Sequence, residues 1–410
     1  MLRLFLSSFS IVILGVACAF LSHLVLAKLL SAEEYGVFSF IASLSLLISV
    51  FALFGFQNSV VRLINQPGTG VKSLIRFARK FTILGGLLGG GLIFAVLHFS
   101  GIAPQYPIES LIIGAILTPL MVSARLHAAF LRGFEKSNLS VLYETTLREI
   151  LLLAFIACAF LISSEFENAF HALFLLTLAL SVSAGFSWFH THKHMQDYSA
   201  SHDTLPTPKE WLHVSFPMML TIFAQRFMRR SDIIILGLMV QPALVGAYAI
   251  AAQFSDVSSI GQKGIFSIFS PRAASLYAEK KHSDIKPLYK KMQVYGLLSA
   301  GALSVIIAFA TPSVMAFFGE GYNAGYSALL ILLVGQFITV CYGPVGILMI
   351  MTEHEKVAMK FTMIAALGNL IFNPLAIYFY GLEGAAIVTS FFLMFRGFLS
   401  YLFVKKEDLI

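Results

Sequence analysis

Apolar runs of roughly 20 residues recur along almost the whole chain, and that is the length an α-helix needs to cross the hydrocarbon core of a bilayer. Read against charge and turn punctuation, the runs fall near 7–26, 37–56, 81–99, 110–130, 147–162, 169–189, 213–240, 244–269, 292–310, 327–350, 357–379 and 384–403. The expectation is an all-α polytopic membrane protein with twelve transmembrane helices. Charged residues make up only 12% of the chain, against about 25% in soluble domains, so little sequence remains for a soluble module.

Lysine and arginine then fall on alternate connections. Arg62, Lys72, Arg76, Arg79 and Lys80 follow the second run, Arg132, Lys136 and Arg148 the fourth, and Lys193 and Lys209 the sixth. Arg272, Lys280, Lys281, Lys286, Lys290 and Lys291 follow the eighth, Lys356 and Lys360 the tenth, and Lys405 and Lys406 close the chain. The opposite connections hold Lys28 among Glu33, Glu34, Glu109, Glu165, Glu167, Glu320 and Glu383. By the positive-inside rule both termini are cytoplasmic. The same pattern accounts for the net charge of +7 without nucleic acid, because basic loops face anionic lipid headgroups. Cys18, Cys158 and Cys341 lie inside runs, where they act as small apolar residues and imply no disulfide framework. Arg3 ahead of the first run imitates a secretory signal, but that run is long, and removing it would break the repeat described next.

Glu34-Tyr35-Gly36-Val37-Phe38 after the first run has a counterpart in Leu244-Val245-Gly246-Ala247-Tyr248 after the seventh. Phe134-Glu135-Lys136 between the fourth and fifth runs matches His354-Glu355-Lys356 between the tenth and eleventh. These pairs argue for a duplication into residues 1–200 and 201–410, each a six-helix bundle, joined through the loop from His190 to Trp211 with Pro206 and Pro208. An even number of spans per half makes the repeats parallel, which places a substrate site between them near the midplane.

The seventh run carries Arg226, Arg229 and Arg230, with Asp232 just beyond. Charge at mid-membrane costs about 2.5–3.5 kcal/mol per residue on insertion scales, so such residues default to a functional reading. On a helix the three arginines fall within about 100° of one another and form one cationic strip. Counting about 1.5 Å per residue sets Arg226 roughly 18–20 Å deep. The antiparallel eighth run brings Asp256 to nearly the same depth, with Gln253, Asp256, Lys263 and Ser267 on one face. Asp256 is therefore placed to pair with Arg226 or Arg229, and Lys263 lengthens the strip. The bland alternative is that these charges neutralise one another and only fix helix register. Arg226, Arg229, Arg230 and Lys263 outnumber Asp232 and Asp256 four to two, and that surplus asks for water or an anion. A guanidinium fork suits phosphate or pyrophosphate, with a sugar carboxylate next. Arg396, near mid-depth in the last run, lines the same cavity or faces the carbonyls of a neighbouring helix.

Other candidates have plainer readings. Asn369 and Asn373, one turn apart, suit hydrogen bonds between helices better than substrate contact. His23 is interfacial or proton-linked. His190, His192 and His194 alternate, but no cysteine or nearby carboxylate completes a metal site. Gly85-Gly86 and Gly89-Gly90-Gly91, inside an apolar run, mean close helix packing rather than a phosphate loop. No catalytic motif appears, no cofactor or metal is implied, and the coupling ion, proton or sodium, stays open.

Leu29-Leu30-Ser31-Ala32-Glu33-Glu34-Tyr35-Gly36-Val37-Phe38, Ser215-Phe216-Pro217-Met218, Asp232 to Gly237, Phe318-Gly319-Glu320-Gly321-Tyr322, Gly343-Pro344-Val345-Gly346 and Gly381-Leu382-Glu383-Gly384-Ala385-Ala386 follow in an order that resembles one family. It is that of the polysaccharide flippases, O-antigen (Wzx-type) translocases in particular, of the multidrug, oligosaccharidyl-lipid and polysaccharide exporter superfamily. One departure is Lys28, where relatives tend to carry arginine. The resemblance implies two six-helix bundles in a V around a central cavity that opens alternately to each side. It implies movement of an undecaprenyl-pyrophosphate-linked oligosaccharide across the bacterial inner membrane for O-antigen, lipopolysaccharide, capsule or exopolysaccharide synthesis. Membrane lipids and a polysaccharide polymerase with its chain-length machinery are the implied partners. On that reading Arg226, Arg229, Arg230, Lys263 and Arg396 bind substrate, while Asp232 and Asp256 pair with them or couple transport. The rivals are a drug and cation antiporter of the same superfamily, which needs an acidic cavity, a lipid II flippase, which usually has two more spans, and a membrane polymerase or ligase, which needs a large outward loop.

Overall fold

The computed structural model of the protein describes residues 2–66, 70–101, 103–162, 168–196 and 208–409. Among them every regular element is a helix. In order they are α1 (Leu2–Leu29), α2 (Ala32–Leu53), α3 (Phe56–Ile64), α4 (Val71–Phe99), α5 (Ile108–Gly133), α6 (Ser137–Val141), a π-turn (Leu142–Thr146), α7 (Leu147–Ile162) and α8 (Ala169–Met195). Then come α9 (Pro208–Met239), α10 (Pro242–Ser258), α11 (Ile260–Ala278), α12 (His282–Phe318), a 3₁₀ turn (Glu320–Gly325), α13 (Tyr326–Cys341), α14 (Val345–Met351) and α15 (Glu355–Lys406). Glu165, Glu167 and Pro206, and the side chains of Arg3 and Lys263, lie outside the described residues.

Eight of these helices are long and apolar enough to cross a membrane, and nine spans result if the bent pair α10 and α11 counts as one. A count of twelve needs three more steps: α15 divided in two, the 16-residue α7, and α9, whose internal charges lower its hydropathy. The runs expected at 357–379 and 384–403 both lie in α15, which is broken at Gly381 (φ 56°, ψ −129°).

The chain forms two units, Met1–Arg226 and Phe227–Ile410, so the division falls inside α9. In the first unit α5 is the hub on which α2, α3, α4 and α8 pack. The α4–α5 approach is backbone-close: a Cβ at Gly90 would stand 2.3 Å from the Ala115 carbonyl oxygen, and one at Gly86 2.9 Å from Pro119 Cα. The other face of α4 presents Leu84, Leu87, Leu88 and Leu92, each more than half exposed, at helical spacing. Leucine outward and glycine inward is the pattern of a helix solvated by lipid, where packing rather than a hydrophobic drive joins helices.

The run expected at 37–56 ends early. Phe54 (φ 47°) and Gly55 (φ 80°) take left-handed conformations, and α3 resumes at Phe56. A phenylalanine there costs about 1–2 kcal/mol. The break lets α9 come close: a Cβ at Gly55 would meet the Ser215 carbonyl oxygen at 2.1 Å, and the buried Ser59 and Ser215 hydroxyls hydrogen-bond at 2.6 Å. Trp211 of α9 joins Phe56, Leu74, Leu126 and Phe130 in the core beneath.

In the second unit α13 packs on α15, α12 and α10. Phe269, Ile285, Tyr289, Leu348 and Val404 gather the ends of α11, α12, α14 and α15 into a second core. The turns at Glu135 (φ 59°) and Glu353 (φ 65°) close alike, Lys136 N–H donating to the Leu131 carbonyl at 2.9 Å and His354 N–H to that of Met349 at 2.8 Å.

Gly90→Leu should lower the thermal midpoint of the purified protein strongly, since overpacking costs about 1–3 kcal/mol even where side chains can yield, and here the obstacle is backbone. Gly91→Leu, with nothing within 4 Å of its Cβ position, should leave the midpoint unchanged.

Candidate functional site

On α9, Arg226 and Arg229 are exposed and Arg230 is half-buried, whereas Phe227, Met228, Ser231 and Asp232 between and beyond them are buried. The helix therefore turns one face inward and gives the arginines the other, as residues spaced three and four apart must. Arg229 Nη2 lies 3.5 Å from Asp256 Oδ2 on α10, one of the two pairings that depth counting allows, with both side chains about half exposed. Arg396 of α15 is half-buried, and the charge of Arg229 acts on it. Lys263 lies on α11 with its side chain outside the described residues.

Asp232 faces the other way, into the second unit. It is 4% exposed, and its Oδ2 accepts from Tyr248 Oη at 2.7 Å while Oδ1 accepts from the Ile233 N–H at 2.9 Å. Arg230 acts on it electrostatically. One residue earlier, Ser231 Oγ donates to Asn369 Oδ1 at 2.8 Å. Asn373 Nδ2 also donates to that oxygen at 3.2 Å, and Asn369 Nδ2 donates to Thr389 Oγ1 at 3.3 Å. The asparagines thus bond between helical segments, tying α9 to α15 and one limb of α15 to the other across Gly381. Asn373 Oδ1 is buried without a hydrogen-bond partner among the described residues. The groups that hydrogen-bond the Asp232 carboxylate, the Tyr248 hydroxyl and the Ile233 N–H, are both neutral donors.

A second charged group lies in the first unit. Arg125 on α5 donates to Ser49 Oγ of α2 at 3.3 Å. Arg132 forms an ion pair with Glu144 of the π-turn at 2.5 Å and also donates to Ser140 Oγ and the Gln57 carbonyl. Arg148 pairs with Glu149 on α7. The charges that act on Arg125 are those of Arg226, Glu144 and Arg148. Arg125 is not part of the strip read from the sequence. The signal was nonetheless there, a lone arginine in the fourth apolar run, where intramembrane charge is itself the flag.

His23 Nδ1 and the Tyr35 hydroxyl are 2.8 Å apart, joining α1 to α2. The three alternating histidines turn to different partners: His190 to the Phe186 carbonyl and Tyr143, His192 against the Trp188 ring, and His194 toward Phe134.

A family model described as polysaccharide biosynthesis protein matches residues 2–276. The chain belongs to that family. The MatE model matches residues 217–375. The Probable low-salt glycan biosynthesis flippase Agl15 of Haloferax volcanii is 22% identical over 384 residues, covering 92% of this chain and 78% of the relative. Among solved structures, the lipid II flippase MurJ in an inward closed conformation superposes with a TM-score of 0.75 at 15% identity, covering 99% of this chain and 89% of that one. An inward-facing multidrug resistance MATE family transporter of the MOP superfamily gives 0.69 at 14% identity, covering 98% of each chain. The fold is that of these polytopic, all-α transporters.

Tyr248→Phe removes the hydroxyl that donates to buried Asp232 and should cost about 1–3 kcal/mol, read as a lower thermal midpoint. Tyr295→Phe, on a half-exposed tyrosine of α12, should leave the midpoint where it is.

Proposed function

We propose that the protein carries an undecaprenyl-pyrophosphate-linked oligosaccharide from the cytoplasmic to the periplasmic leaflet of the bacterial inner membrane by alternating access, supplying surface polysaccharide synthesis such as that of O-antigen. The observation that carries this reading is the orientation of Arg226, Arg229 and Arg230, accessible on one face of α9 while the intervening residues are buried. A guanidinium strip in an apolar helix needs an anion or water, and its fork geometry fits phosphate oxygens in pairs. Arg396, Lys263 and the Arg229–Asp256 pair complete the proposed substrate group. Membership in a polysaccharide biosynthesis family and a glycan flippase relative support the sugar and its lipid carrier. A six-span repeat joined between residues 200 and 201, both termini in the cytoplasm, and polymerase and chain-length partners belong to the same proposal.

Asp232 is the proposed coupling group. Its carboxylate is buried among neutral hydrogen-bonding groups, so binding a proton or a sodium ion there changes the local charge by one unit.

Arg226→Ala with Arg229→Ala should abolish surface polysaccharide in a complemented deletion strain while membrane protein levels stay normal. Normal polysaccharide in that strain overturns the substrate assignment, and efflux of cationic dyes by the purified protein would favour an antiporter instead. In proteoliposomes, Asp232→Asn should keep substrate binding and lose the dependence of flipping on an imposed proton or sodium gradient. An unchanged gradient dependence removes Asp232 from the coupling role.

A further inference from the structure

From Arg272 to Lys291, where α11 turns into α12, five lysines and one arginine stand against two acids, Glu279 and Asp284. Glu279 is committed to Lys281 at 2.7 Å. Lys286, Lys290 and Lys291 are exposed, and among the described residues none of them forms an ion pair with a carboxylate. Lys291 Nζ stands 5.9 Å from the centroid of the Tyr295 ring, within cation–π reach. The opposite face of α12 is fixed to the end of α13: Tyr289 Oη donates to the Tyr342 carbonyl and Gln293 Nε2 to the Cys341 carbonyl at 2.5 Å. That anchoring leaves Lys290, Lys291, Val294, Tyr295 and Leu298 on one accessible face at helical spacing. Val305 and Phe309 continue the face, both more than half exposed. Beyond Lys291 the helix carries no charged residue, and it is long and apolar enough to cross a membrane.

We infer that this face of α12 is a discrete site for one anionic glycerophospholipid. Lys290 and Lys291 hold its phosphate, Tyr295 lies against the glycerol region, and an acyl chain runs along Val294, Leu298 and Val305. All of these residues lie in the second unit, and none belongs to the proposed substrate group. Val294 to Val305 rises about 16 Å, close to the half of a roughly 30 Å core that one leaflet supplies. Head and tail therefore match a single lipid laid along a single helix face. The half-exposed tyrosine sits where lysines give way to apolar side chains, the level that aromatic residues take beside headgroups. A zwitterionic lipid fits less well, because its own ammonium group competes with the lysines for the phosphate. A second copy of the chain also fits less well, since two-fold pairing on this face sets Lys290 and Lys291 against the same two charges. Two lysines and a ring on one helix face convert the diffuse attraction of a basic surface for anionic lipid into binding at one place.

The test is native mass spectrometry of the full-length protein in detergent, titrated with dioleoyl phosphatidylglycerol and, separately, with dioleoyl phosphatidylcholine. The unaltered protein should take up one phosphatidylglycerol well before further copies, and bind phosphatidylcholine more weakly. Lys290→Gln with Lys291→Gln should weaken that first step about tenfold or more, and Tyr295→Leu should weaken it less. Arg76→Gln with Lys80→Gln removes the same charge from exposed positions of α4 and should leave the step unchanged. If the two double variants weaken binding equally, the attraction is diffuse and the inference falls. It falls as well if phosphatidylcholine binds as tightly as phosphatidylglycerol, or if inorganic phosphate at the lipid's own concentration displaces it, since the tail then contributes nothing. Should the α12 double variant fail to melt cooperatively, the single variants are read instead, and normal binding by both overturns the inference.

Discussion

A guanidinium group inside an apolar helix bundle cannot shed its charge, so whatever surrounds it must answer that charge. In this protein the answer comes in three forms. Arg132 and Arg148 are paired with carboxylates of the π-turn and α7. Arg229 shares Asp256 at a looser distance, with both groups half open. Arg125 has a serine hydroxyl. Compensation by opposite charge decreases in that order. Buried pairs fix register, whereas incompletely answered charges leave a demand that substrate can meet.

The two aspartates of the seventh and eighth apolar runs differ in the same way. They look alike in sequence, each an acid near arginines. Asp256 remains accessible beside Arg229, while Asp232 is enclosed and held by Tyr248 and a backbone amide. Asp232 follows Ser231 on the inward face of α9, where Ser231 bonds Asn369 of α15 and Asp232 bonds Tyr248 of α10. Neutral donors around a carboxylate let it change charge without breaking an ion pair, and that is the physical case for treating Asp232 and Asp256 as different kinds of group.

Much of the architecture could be read from apolar run length, because a bilayer leaves helices as the one economical solution for most of this chain. The α9 strip was legible for the same reason, since charge in an apolar run stands out against its neighbours. The helix break at Phe54 was not, because nothing local forces a phenylalanine into a left-handed conformation; the cause is α9 passing close to Gly55 from far away in sequence. The π-turn at 142–146 was equally hidden, as its wide ring depends on the Arg132–Glu144 and Thr146–Ile11 contacts. Arg125 is harder to read for a different reason: a lone arginine in its apolar run has no neighbour whose helical spacing would define a face.

The inverted character of α4, with glycines against α5 and leucines outward, bears on what stability means for this molecule. A water-soluble fold carries most of its driving force inside its own core. Here a large share of the apolar surface is satisfied only by amphiphile, so detergent or lipid behaves as a bound component that favours the native state by mass action. Unfolding free energies of this protein are therefore properties of the protein together with its solvent of tails, and a midpoint measured in one micelle is a different quantity from a midpoint measured in another.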